Sequence, residues 1–188
     1  MLGQLSIKLA ATVTLLCAIL EFIVGTSCNS MALTTDSGYM TSDAIALFMA
    51  MVANNNASAR PFMLWLSALM MLMVVAIMLG QAVAAIAHPE PTTGFSVLLV
   101  SSIGLIINIW VSKGLVDMGK DHNLQVAHLH VVCDMLGSAI AVLSGLFALL
   151  GYAASWDAIL TIISSLGVGI ATIIIMYKMC LNQFLHKI

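Results

Sequence analysis

Apolar runs of about twenty residues, separated by short polar breaks, follow one another along almost the whole chain. Crossing a hydrocarbon core of roughly 30 Å at 1.5 Å per residue takes about 20 largely apolar residues in a helix. Six such stretches are present, and they predict helices over residues 8–26, 31–53, 62–87, 94–112, 126–152 and 157–179. The breaks have turn chemistry. Cys28-Asn29-Ser30 separates the first two helices, and Pro61 stands where the third begins, a position that tolerates its missing N–H. The first run carries Glu21 and has no small-residue cleavage pattern, so it reads as a membrane helix and not as a removed leader. The predicted fold is an all-α membrane protein, a bundle of six transmembrane helices in a single transmembrane domain over residues 1–188, with no cytosolic domain after the sixth helix.

Composition sharpens this picture. Of 188 residues 62% are hydrophobic and 7% are charged, a balance that no water-soluble domain holds without exposing large apolar patches. The net charge of −2 is spread thinly and forms no run, which excludes nucleic acid as a partner. Cys17, Cys28, Cys133 and Cys180 are scattered without close pairing, unlike a disulfide framework or zinc ribbon. The basic residues set a topology, because Lys and Arg near helix ends are biased toward the cytoplasm. With both termini cytoplasmic, Lys8, Arg60, Lys113, Lys120, Lys178 and Lys187 all fall on one side. The opposite connections have none. The expected location is therefore multi-pass in a cell membrane, and the short loops fit a bacterial inner membrane.

Against this background the ionisable residues inside the runs stand out. Each costs on the order of 3 kcal/mol or more at membrane depth, so each needs a partner or a task. On the second helix Asp36, Tyr39 and Asp43 are spaced i, i+3, i+7 and share one face. On the fifth, His130 and Asp134 are one turn apart. Zinc takes four ligands from imidazole, carboxylate and thiolate. If the two stripes face each other, Asp43, His130 and Asp134 make three good ligands. Tyr39 stands in the fourth place, though a phenol is a poor ligand, and water or Asp36 are the alternatives. Singly, any of these side chains can serve simply to hydrogen-bond a neighbouring helix; together they read as a cation site. Asn108 is a further candidate on the pathway. Cys133 points about 100° away from Asp134 around the helix. Glu21 and Asp157 lie near helix ends, where a structural or interfacial role is expected; His88 reads as a loop residue, and His122 and His186 as solvated.

At these residues the chain resembles the cation diffusion facilitator family. Ser30-Met31-Ala32-Leu33-Thr34-Thr35-Asp36-Ser37-Gly38-Tyr39-Met40-Thr41-Ser42-Asp43-Ala44 is similar to the family's second-helix signature with its His-x-x-x-Asp, and His128-Leu129-His130-Val131-Val132-Cys133-Asp134-Met135-Leu136-Gly137-Ser138 to the fifth-helix signature. Weaker similarity runs through Glu21, His88 to Pro91, Gly104 to Asn108, Asp121 to Leu124 and Trp156-Asp157. The resemblance implies a homodimeric exporter that exchanges Zn²⁺, or Co²⁺, Ni²⁺, Mn²⁺ or Fe²⁺, for protons, with the metal as substrate, no prosthetic group and no enzymatic activity. Tyr39 departs from the pattern, since most members place His there. The alternative it raises is a non-transporting or regulatory subunit with a degenerate metal site. An intramembrane enzyme or haem carrier finds no HExxH pair and no G-x-S-x-G elbow in the sequence.

Overall fold

The computed structural model describes residues 7–55, 60–117, 122–152 and 154–185, with side chains except at 50, 52–61, 117–130 and 182–185. All of the regular structure in these residues is helical. Helix α1 spans Ile7–Ser27, α2 Met31–Asn55, α3 Arg60–Ala87, α4 Gly94–Asp117, α5 His122–Leu149 and α6 Ser155–Leu185. Helix order and number match the hydrophobic runs, but the ends do not. Helix α4 continues to Asp117 and α6 to Leu185, because single charged or polar residues near a helix end leave the backbone hydrogen bonds intact. Helix α5 stops at Leu149, before Gly151 with φ 76° turns the chain, so Tyr152 lies outside it. Asn29, at φ 54°, makes the corresponding turn between α1 and α2.

Five of the helices are long and apolar enough to cross a membrane by length and composition. Helix α2, with Asp36 and Asp43, is the more polar one, and it lies innermost, packed against α1, α3, α5 and α6. The protein is thus a multi-pass membrane bundle. Its burial pattern is inverted relative to a water-soluble core. Leu16, Phe22, Phe95, Ile106 and Ile170 are exposed, whereas Thr35, Ser42, Ser101, Asn108, Ser138, Thr161 and Thr172 are buried. Lipid tails solvate leucine as well as another helix does, so the interior is chosen by close packing and hydrogen bonding instead.

Two groupings follow from the contacts: α1, α2, α4 and α5 form one four-helix unit, and α3 pairs with α6 alongside it. Within the first unit, α4 and α5 approach closely at Gly145. A Cβ built there would lie 2.5 Å from the Leu98 backbone nitrogen and 2.8 Å from its Cα. Neither backbone atom can yield without separating the helices. Gly145→Ala is therefore expected to destabilise the detergent-solubilised protein by about 1–3 kcal/mol, whereas Gly80→Ala, where nothing lies within 4 Å, leaves the thermal midpoint unchanged or slightly raised.

Candidate metal centre

Helix α2 begins under firm local control. Ser30, immediately before its first residue, accepts the Leu33 N–H at 3.2 Å, an N-cap that starts the helix in one register. From that start Asp36, Tyr39 and Asp43 fall on one face, and all three are buried. The face is turned toward α5. A Cβ on Gly137 would lie 2.6 Å from Asp36 Oδ1 and 3.2 Å from Tyr39 Cδ2, so only glycine admits the α2 stripe this close.

One level along the antiparallel pair, the carboxyls of Asp43 and Asp134 are within hydrogen-bonding range of each other, and Asp36 is near enough for its charge to act on both. Asp134 has no exposed surface, and no hydroxyl or amide donor among the described residues reaches either of its oxygens. Two carboxyls held together in a low-dielectric interior repel unless a cation or a proton lies between them. The sequence expectation that the two stripes face each other is met at Asp43 and Asp134. Position 130 is one turn before Asp134 on α5, but the side chain of His130 lies outside the described residues. Among those residues no three His, Cys, Asp or Glu side chains converge as a ligand set.

Tyr39 spans from α2 to α6. Its ring packs with Met71, Val75 and Val168, and its hydroxyl donates to Ser165 Oγ on α6 at 2.9 Å. Asn108 Nδ2 donates to Ser138 Oγ at 3.0 Å, and Ser138, one turn beyond Asp134, lies beside Asp36. Asn108 therefore supports the site from behind through a serine that sequence reasoning left aside. Ser165 was equally invisible, since one serine in a helix carries no signal of its partner. Glu21, for which a structural or interfacial role was expected, is fully buried, and its carboxyl lies against Gly104 of α4, where a Cβ would collide with Oε1. Cys133 packs with Ile175 and Met179.

The family profile described as the cation efflux transmembrane domain matches residues 7–185. The chain is 33% identical over 161 residues to a zinc transporter ZitB of Pectobacterium atrosepticum, covering 77% of this chain and 50% of that protein. It is 28% identical over 144 residues to a cadmium, cobalt and zinc/H(+)-K(+) antiporter of Bacillus subtilis, covering 68% of this chain and 46% of the relative. It is 28% identical over 158 residues to the metal cation efflux system protein CzcD of Cupriavidus metallidurans, covering 76% and 49%. The chain thus spans about half the length of the curated relatives it matches.

Relief of repulsion between the paired carboxyls gives a test that needs no transport assay. Asp134→Asn is expected to raise the thermal stability of the metal-free protein at neutral pH by about 1 kcal/mol, the order typical of a stabilising change at a functional site. Differential scanning fluorimetry in a chelator-containing buffer measures it.

Proposed function

The chain belongs to the cation efflux family, and from that membership we propose that it exports divalent metal cations across a membrane in exchange for protons. The observation that carries this reading is the apposition of Asp43 and Asp134 in the interior of the bundle. With Asp43, Asp134 and His130 as ligands, the site is rich in oxygen and open at its fourth position, which Tyr39, Asp36 or water would complete. Zinc is the leading substrate, with cobalt, nickel, manganese and iron within reach of the same ligands. The names of the relatives, which mention zinc, cadmium and cobalt and, in one case, antiport with H(+) and K(+), support the same class of substrate.

The cycle follows from competition for lone pairs. Deprotonated carboxylates and neutral imidazole bind the cation on the cytoplasmic side, and protonation on the other side releases it. His130 is the natural proton carrier, with an ordinary pKa of about 6.5. All six basic residues in the chain support cytoplasmic termini. We take the working unit to be a homodimer in a bacterial inner membrane, embedded in lipid and independent of nucleic acid.

The position of Tyr39 favours a second reading. Its hydroxyl is held by Ser165, so it supplies no ligand in this arrangement, as a non-transporting regulatory subunit would allow. Proteoliposomes loaded with a zinc indicator and a pH dye separate the two. Under an imposed pH gradient the wild type is expected to move zinc against protons, and Asp134→Ala to abolish the flux. No flux from wild type, with flux gained by Tyr39→His, would move the assignment to the regulatory subunit.

The competition also sets a pH dependence. Each proton displaced on binding weakens zinc affinity by about tenfold per unit as pH falls below the titrating range. Isothermal calorimetry between about pH 7.5 and about pH 5.5 should show that loss, with a smaller slope in His130→Ala.

A further inference from the structure

Asp157, in the first turn of α6, spends its carboxylate on other helices. Oδ2 accepts the Met31 N–H at 2.5 Å, both oxygens accept the Ala32 N–H at 3.4 Å, and Oδ1 accepts the Ser30 hydroxyl at 2.9 Å and the Ser144 hydroxyl of α5. It therefore caps a helix that is not its own. The negative carboxylate sits at the N-terminus of α2, where the free N–H groups and the helix dipole favour an anion. Every one of these donors belongs to the four-helix unit, while Asp157 belongs to the α3–α6 pair.

Two cavities open on either side of this contact. One, of about 410 Å³, lies between the α1–α2 turn, the end of α3 and the start of α6, and Gln81, His88 and Glu90 line it. The other, of about 150 Å³, lies between α5 and α6 and includes Ser144 and Trp156. Asp157 lines both. Below it on α6, Thr161 and Ser165 follow at i+4 and i+8, both fully buried, and Ser165 is the residue that holds Tyr39. One stripe of α6 thus runs from the Asp157 contact down to the level of the cation site.

We propose that Asp157 is a latch: it holds α6 against α2 and α5 at the end of the bundle bearing the α1–α2, α3–α4 and α5–α6 connections, and its release opens the seam above Tyr39 and joins the two cavities. In lipid an apolar seam resists separation weakly, because hydrocarbon replaces the lost contacts. A charged group with several hydrogen bonds resists strongly, since each donor left bare in a dry interior is penalised. At this end of the bundle the strength of closure is therefore concentrated in the Asp157 side chain. The gating role rests on the proposed transport function; the latch itself does not.

The test reads the seam directly. In nanodiscs, where both faces are accessible, with Cys28→Ser and Cys180→Ser removing the two less buried thiols, a polar thiol reagent is applied to Thr161→Cys on the seam and, separately, to Ala11→Cys in the buried cluster near the opposite end. Asp157→Asn, which replaces one acceptor oxygen by an amide donor, is expected to speed labelling of Thr161→Cys by at least about tenfold and to leave Ala11→Cys within about twofold. Ser144→Ala, a milder cut of the same contact, should move the seam rate in the same direction by less, and it serves if Asp157→Asn does not fold. An unchanged seam rate overturns the latch, and so does an equal rise at both cysteines, which is general loosening. Zinc flux measured on the same preparations separates the two ideas, because absent flux with a normal seam response counts against transport and not against the latch.

Discussion

Two carboxyls that meet in the interior of a bundle bathed in hydrocarbon impose a demand the rest of the structure answers. Asp43 and Asp134 have no surface from which to draw water, and in a dry interior like charges at contact cannot both persist without a compensating cation. Helix α2 carries one of them and is shielded on several sides by other helices. Gly137 lets it come close to α5, and the Asn108–Ser138 bond braces α5 from behind. Close helix approach and a hydrogen-bonded brace thus hold the two carboxyls in place inside the bundle.

The architecture around the site divides the work between two kinds of contact. Within the four-helix unit, approach is governed by small residues, as at Gly145 against Leu98, where backbones nearly touch and little can slide. Between that unit and the α3–α6 pair, apolar clusters around Tyr39 and Cys133 are supplemented by discrete polar contacts, with Tyr39 on Ser165 at depth and Asp157 on the start of α2.

Tyr39 shows how a buried polar side chain finds its partner on another helix. A phenol carries its polar atom at the far end of the side chain, and its hydroxyl reaches α6. There it finds a serine hydroxyl, and its ring fills space among Met71, Val75 and Val168. The residue keeps the packing of the site while its polar group works elsewhere.

How much of this was legible without coordinates depends on the range of the interaction. Helix number, order and membrane character are written in local hydrophobicity, because a backbone in lipid must satisfy its own hydrogen bonds and a helix does so within itself. The sharing of one face by Asp36, Tyr39 and Asp43 follows from 3.6 residues per turn, and the start of α2 is a local matter too, with Ser30 as its cap. Tertiary structure alone decided which helix faces which. It turned Tyr39 to Ser165, drew Glu21 into the interior against Gly104, and brought the Asp157 carboxylate to a helix start more than a hundred residues earlier in the chain. Serines, glycines and single acids look alike along a sequence; their roles come from partners supplied by other helices, and periodicity within one helix holds no information about those partners.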